Sequence, residues 1–509
     1  MKSRRSASVK NATIGTVSQI VKLLGNFIVQ TVFVKTLGTT YLGANGLFNN
    51  LITFLSFAEL GIGFAFSFSL YEPLAKKNFT VISAIVSLYR KVYNFIGSFI
   101  LVSGCILAFF VPYLTKNNQG IPGIRIYFIL YLLSTVVSYY FTYNRALLIA
   151  DQYSYIDSLN QLEFSLLKYL GQIVSLFLGS YFGYLLSQVL GNLLSNIFIT
   201  KRARKKYPLL DEHTNQKVPL NIINRLKQNV IGAISSKIGS IVVNGTDNVL
   251  ISKFVGLSMV GIYSNYSLVI SGFNSILAQL LNSVVASFGN LGVVEKSNKS
   301  KQLDLFYQFV YYNAVIVFFI ALIMLGSFQT FISLWVGANY QLSMFSVNLI
   351  IINFVLSGFR PALYLINAYG LFWGYRYKSI IEAVVNFGIS LILVYNFNLG
   401  LNGVLLGTIS SNIIVNSWWD PLILFSGVYK KGYGTFYIKY WLYLGTFMIL
   451  MILENIFILK FLGKEANLLN FIIHTILLCC VMGAILFLVF IKTRGEQDLI
   501  NRIKTIIKN

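Results

Sequence analysis

Charge is scarce in this chain. Only 11% of its 509 residues are Asp, Glu, Lys or Arg, against about a quarter in a soluble globular protein. A chain this long with so little charge cannot cover its own surface in water, which excludes a string of soluble domains. Acidic residues are rarer still, 16 against 40 Lys and Arg, for a net charge of +24. Cysteine is limited to Cys105, Cys479 and Cys480, all in apolar runs, so neither a disulfide framework nor a CxxC metal pair is indicated. The two histidines, His213 in a basic loop and His474 alone in the last apolar run, lack the partners of a metal site or a catalytic triad. A Gly-rich phosphate loop and an acidic DxD pair are also missing, so the chain is read as neither an ATPase nor an enzyme, and no cofactor is expected.

What is abundant is apolar: 56% of residues are hydrophobic and 16% aromatic. The longest polar stretch runs only from Lys201 to about Asn229, and hydrocarbon is the solvent that such a composition suits. A spanning helix needs about 20 mostly apolar residues, and only helices close their backbone hydrogen bonds within runs this long. On that rule the chain is an all-α integral membrane protein with about fourteen spans. They are placed near 12–34, 42–70, 93–113, 125–150, 160–179, 181–200, 230–252, 258–290, 306–326, 343–368, 379–397, 401–427, 440–460 and 467–491. Only Gly179 to Gly183 separates the fifth from the sixth.

The basic residues orient this bundle. With the N-terminus inside, the inner loops hold about thirty Lys and Arg. Among them are Lys2, Arg4, Arg5 and Lys10, then Lys76, Lys77, Arg90 and Lys91, and the run Lys201, Arg202, Arg204, Lys205, Lys206. Lys296, Lys299, Lys301, Lys430, Lys431 and the tail from Lys492 to Lys508 complete the pattern. The outer loops hold six: Lys35, Lys116, Arg125, Lys253, Lys460 and Lys464. Both termini therefore fall in the cytoplasm of a multi-pass protein of the cell membrane. The positive charge belongs to short loops, which argues against nucleic acid. The basic start leads into a full-length helix without a cleavage site and reads as an anchor. The tail DLINRIKTIIKN either lies on the inner membrane surface or is solvated.

The sequence repeats itself. Lys35, Gly38 and Gly43 recur as Lys253, Gly256 and Gly261, displaced by 218 residues. The same displacement maps Asn26 to Asn244, Gln30 to Asn248, and Tyr89, Val92 and Tyr93 to Tyr307, Val310 and Tyr311. Gly183-x-Leu-Leu with Asn192 and Asn196 recurs at Gly403-x-Leu-Leu with Asn412 and Asn416, displaced by 220. Six helices per copy is an even number, so both copies share one orientation. The expected architecture is two six-helix bundles in parallel, 1–200 and 230–427, joined by a basic linker, 201–229. An extra helix pair, 428–491, and a basic tail, 492–509, follow. Parallel repeats place a binding site between halves that rock against each other.

Ionisable residues at membrane depth cost about 2.5–3.5 kcal/mol on insertion scales and face protein or water. Gln19, Lys22, Asn26 and Gln30 form one stripe on the first helix. Lys237, Ser240, Asn244, Asp247 and Asn248 form the equivalent stripe on the seventh, and Asn45, Asn49, Thr53 and Ser56 one on the second. Together they suggest a hydrated cavity. Single Ser or Asn residues also serve as glue between helices, but lysine is poor glue, so Lys22 and Lys237 lead the candidates. Arg360, before Pro361, is either a cavity cation or a residue of the inner boundary, and Lys168 is another cation of that kind. Asp247 is either a ligand or the structural partner of a cation. Glu59, Glu163 and Glu382 lie near inner helix ends, where a carboxylate reaches water.

The stretch KTLGTTYLGANGLFNNLITFLSFAELGIGFAFSFSLYEPLAKKN, behind a basic N-terminus, resembles the opening helices of the polysaccharide flippases of the multidrug/oligosaccharidyl-lipid/polysaccharide superfamily. TDNVLISKFVGLSMVGIYSNYSLV, with Asp247, Gly256, Gly261 and Tyr263, resembles the start of that family's second half. The resemblance implies a transporter of an undecaprenyl-diphosphate-linked oligosaccharide from inner to outer leaflet, for surface polysaccharide assembly. The sugar would cross a cationic cavity while the lipid tail stays in the bilayer. Its partners are that glycolipid and membrane lipid, in a chain read as monomeric; a counter-ion for resetting the empty carrier is not identified. Two negative charges moving outward gain about 2.3 kcal/mol each per 100 mV. A cation-coupled multidrug exporter of the same fold is the alternative, distinguished by its need for a buried carboxylate. A membrane enzyme of glycan assembly is a third, against which the short outer loops count.

Overall fold

The computed structural model describes residues 2–490, apart from 60–61, 116–120, 152, 209–217, 221, 225, 227–245, 295–298, 370, 372–373, 375–376 and 462–466. Apolar runs this long leave the backbone no water to bond with, and the regular elements among the described residues are all helical. In chain order they are α1 (Lys2–Leu55), α2 (Ile62–Ala75), α3 (Phe79–Phe110), α4 (Ile124–Tyr139), α5 (Thr142–Ala150), α6 (Ser154–Phe177) and α7 (Tyr181–Lys206). Residues 246–254 are helical, and α8 (Leu257–Val294), α9 (Lys299–Trp335), α10 (Met344–Gly358), α11 (Pro361–Tyr369) and α12 (Lys378–Tyr395) follow. The series ends with α13 (Gly400–Ser411), α14 (Ser417–Leu424), α15 (Tyr433–Phe461) and α16 (Leu468–Phe490).

Among the described residues, eight helices are long and apolar enough to cross a membrane, nine if the bent pair α4–α5 is one span. The stretch Thr13–Leu55 counts as one of them although its 43 residues would run about 65 Å at 1.5 Å each, twice the hydrocarbon thickness. Gly38, at φ 76°, divides it. Exposed apolar residues line the helices in stripes: Phe95, Phe99, Val102, Ile106 and Phe109 on α3, and Leu186, Leu190, Leu194 and Phe198 on α7. Water would not tolerate such stripes, whereas hydrocarbon solvates them. The protein is a multi-pass membrane protein. Helical structure underlies each expected span except 230–252, of which only 246–252 lies within the described residues.

Two compact units divide the chain, Met1–Ser264 and Asn265–Asn509. The first thus reaches beyond the linker expected to end it. The reason is a set of contacts that tie 246–264 to α1 and to the turn after α3. Asn248 donates to Asn50 Oδ1 (3.2 Å), Ser252 to the Leu114 carbonyl (2.9 Å) and Lys253 to the Tyr113 carbonyl (2.7 Å). Gly43 and Gly261, equivalent in the repeat, make the closest approach. A methyl on Gly43 would lie 1.8 Å from the Leu257 carbonyl oxygen, and one on Gly261 2.0 Å from that of Thr39. Their partners in the motif, Gly38 and Gly256, sit at φ +76° and +129°, which L side chains rarely adopt. The repeated KxxGxxxxG is therefore a chain break followed by a close-packing glycine, used twice in reciprocal contact.

Each unit also holds a tight antiparallel pair, α6–α7 and α12–α13. Small residues let these backbones approach. A methyl on Gly191 would come within 2.7 Å of Lys168 Cβ, and one on Gly407 within 2.0 Å of Ser390 Oγ. Bent pairs supply the other feature that matters below. The α4–α5 pair bends by 44°, and α10 stops at Gly358 because Pro361 offers no N–H and disfavours helix at Arg360.

Candidate functional site

In the first unit, Arg145 stands on α5 just beyond the bend, so its guanidinium is directed by a short helix rather than by the long α4. It donates through Nη1 to Asp157 Oδ1 on α6, through Nε and Nη2 to Asn196 Oδ1 on α7 (3.2 and 3.1 Å), and through Nη2 to Ser195 Oγ (2.9 Å). Asp157 Oδ2 accepts from Gln161 Nε2 (2.7 Å), and Gln161 Oε1 accepts from Lys22 Nζ on α1 (3.1 Å). Asn160, wholly buried, donates to the carbonyl and hydroxyl of Ser195 (both 2.9 Å). Asn196 donates in turn to Ser138 Oγ (3.2 Å) and the Asn192 carbonyl (2.8 Å). One continuous network thus joins α1, α4, α5, α6 and α7.

Beside it opens a cavity of about 320 Å³, lined among others by Arg145, Gln161, Lys168, Asn192, Ser195 and Asn196. That is room for roughly ten waters. Lys168 extends over the Tyr169 ring (5.1 Å), whose hydroxyl donates to Asn26 Oδ1 (2.9 Å). Among the described residues, three cations (Lys22, Arg145, Lys168) gather around a single carboxylate, Asp157. The excess is positive, and the unpaired share of it favours an anion.

The second unit builds a network of the same kind with a different balance. Arg360, freed from helix by Pro361, donates through Nε and Nη2 to Asp420 Oδ2 (2.9 and 2.6 Å). Lys378, buried to 1% exposure, lies 3.0 Å from Glu382 Oε2 and 3.2 Å from Asp420 Oδ1. Asn416 donates to Glu382 Oε1 and Asn412 Oδ1 (both 2.7 Å). Two π-helical turns, Asn412–Asn416 and Phe425–Tyr429, flank Asp420's helix, as π-turns often do at functional positions. Here two cations face two carboxylates, a neutral set.

Among the residues singled out from sequence, Lys22 joins the first network and Asn26 borders it through Tyr169. Gln30 and Asp247 are half-buried, and Asn49 is exposed with its carbonyl bonded by Thr53. Arg360 enters the neutral network. Lys237 and Asn244 lie outside the described residues. The repeat-equivalent asparagines Asn196 and Asn416 both bond charged groups, Arg145 in one unit and Glu382 in the other. The equivalent acids diverge: Glu382 joins its network while Glu163 pairs with Arg202 (2.7 Å) at the surface. Glu59 accepts from Tyr93 (2.8 Å). Arg145, Asp157, Lys378 and Asp420 were not anticipated. The visible signal was a charge inside or beside an apolar span; the pairing across helices was not readable.

No family model matches the sequence, and no curated protein matches it. Solved structures do match by fold. The lipid II flippase MurJ in an inward closed conformation is similar over 94% of this chain and 100% of its own, at 14% identity and a TM-score of 0.65. A multidrug resistance MATE family transporter of the MOP superfamily, inward-facing, is similar over 81% of this chain and 96% of its own, at 15% identity and a TM-score of 0.59. The Vibrio cholerae MATE transporter VcmN in its bent form is similar over 85% and 99%, at 13% identity and a TM-score of 0.53.

Proposed function

We infer that the chain is a transporter, because it shares the fold of the MOP superfamily transporters and the structures it matches are transporters, not enzymes. We propose that it flips an undecaprenyl-diphosphate-linked oligosaccharide from the inner to the outer leaflet by alternating access, for assembly of a surface polysaccharide. The observation that carries this reading is the positive excess of Lys22, Arg145 and Lys168 beside a polar cavity. A diphosphate is compact and doubly negative, and Arg binds it in a fork while Lys acts as a point charge. Amides and hydroxyls of Gln161, Asn192 and Ser195 offer sugar hydroxyls both donors and acceptors. About fourteen spans, with both ends in the cytoplasm, are the topology proposed with it.

The rival reading is a cation-coupled drug exporter, favoured by the likeness to MATE transporters and by the buried carboxylate of Asp157. That carboxylate is already held by Arg145 and Gln161, and the positive surroundings repel a cationic drug. The purified protein in proteoliposomes separates the two. With an undecaprenyl-diphosphate glycolipid in one leaflet, wild type is expected to transfer it and Lys168→Ala to slow the transfer about tenfold, the effect of losing roughly 1.4 kcal/mol of binding. Transport of a cationic dye, with no glycolipid transfer, overturns the proposal.

A further inference from the structure

Glu454 lies on α15, in a stretch apolar enough to span a membrane, and is only 2% exposed. Both carboxyl oxygens are enclosed and make no hydrogen bond among the described residues. The next residue, Asn455, by contrast has its amide on Asn348 Oδ1 (3.2 Å) and the Met451 carbonyl (2.9 Å). A methyl on Gly326 of α9 would lie 2.7 Å from Glu454 Oε1 and 2.6 Å from Leu478 Cδ2 of α16. The acid therefore sits where α9, α15 and α16 meet, in space kept open by a glycine.

Among the described residues, no charge from a neighbouring helix is bonded to it. From Phe306 to Trp335, α9 carries no Asp, Glu, Lys, Arg or His, and its phenols Tyr307, Tyr311 and Tyr312 lie towards its start; α10 has no titratable group. Titratable groups on α16 are His474, one turn before Leu478, and the thiols Cys479 and Cys480. On α15 they are Lys439 and the phenols of Tyr433, Tyr437, Tyr440 and Tyr443, towards the start of the helix, and Lys460, six residues beyond Glu454. Asp420, on α14, is held by Arg360 and Lys378. An enclosed carboxylate with no partner costs several kcal/mol, and polar groups left at membrane depth mark function. A metal ion needs several oxygens, yet no group of three metal-ligating side chains occurs among the described residues. A proton needs only the carboxylate.

We propose that Glu454 is a proton-binding site. Enclosed between α9, α15 and α16, the carboxyl carries a proton; when α15 and α16 shift away from α9 and water enters, the O–H bond breaks and the proton passes to water, leaving a carboxylate. Repacking requires the reverse step, so movement of the C-terminal helix pair is tied to uptake and release of one proton. This holds whatever the substrate is.

Infrared difference spectroscopy on the full-length protein in lipid tests it, with no substrate needed. At neutral pH, wild type is expected to show the carbonyl stretch of a protonated carboxylic acid in apolar surroundings, shifted in D₂O and missing from Glu454→Gln. Gly326→Ala, which keeps the acid but presses a methyl against it, is expected to shift the band, so the test survives a Gln variant that fails to fold. A spectrum without that band in wild type, or a band unchanged in both variants, overturns the proposal.

Discussion

Asp157 has two oxygens and both are used, one by Arg145 and one by Gln161, with its side chain 8% exposed. Removing Arg145 leaves that carboxylate buried against a neutral amide, which costs about 3–5 kcal/mol when a buried pair is broken from one side. Arg145→Ala is accordingly expected to lower the thermal unfolding temperature of the purified protein sharply, and adding Asp157→Asn to restore part of the loss. Equal stability of the single variant and wild type would refute the ion pair. Lys22→Ala removes a bond to a neutral amide, about 0.5–1.5 kcal/mol, so it should spare stability and reduce transport. The stripe of Lys22 and Asn26 was legible because helical spacing puts both on one face. Their partners were not, because Gln161 lies 139 residues away and periodicity does not say which helix faces which. The span expected near 160–179 leaves Asp157 outside it, whereas α6 begins at Ser154 and takes it in.

At the scale of elements, the repeat was the most readable feature, and its glycines explain why. Gly43 and Gly261 leave no room for a carbon: their nearest neighbours are backbone carbonyls at 1.8 and 2.0 Å from a built methyl. Backbone does not rotate aside, so Gly43→Ala and Gly261→Ala must each push helices apart. Both are expected to cost the folded protein most of its yield in membranes, while Gly445→Ala on α15, with nothing within 4 Å, leaves yield unchanged. Wild-type yield from the first two would contradict the close contact. The end of the first unit at Ser264 was hidden for a physical reason. A polar linker marks a gap in sequence, but the packing of 246–264 on α1 is set by contacts such as Gly46 with Val260 and Ser264. The π-turns around Asp420 were equally invisible, since no residue type commands them.

For the whole molecule, hydropathy sufficed to name a multi-pass helical protein, because hydrocarbon dictates long apolar helices. It could not tell a broken span from two spans, as α4–α5 and Thr13–Leu55 show. Nor does the fold choose a substrate, since flippase and drug-exporter structures match it alike. The proposed choice rests on local charge among the described residues: a positive excess in the first unit and neutrality in the second. The decisive measurement is made in cells, by following labelled undecaprenyl-diphosphate oligosaccharide in a strain lacking the protein and determining which leaflet holds it. The account predicts accumulation on the inner leaflet, rescued by wild type but not by Lys22→Ala or Lys168→Ala present at normal levels. Glycolipid that still reaches the outer leaflet, with surface polymer unchanged, would contradict it.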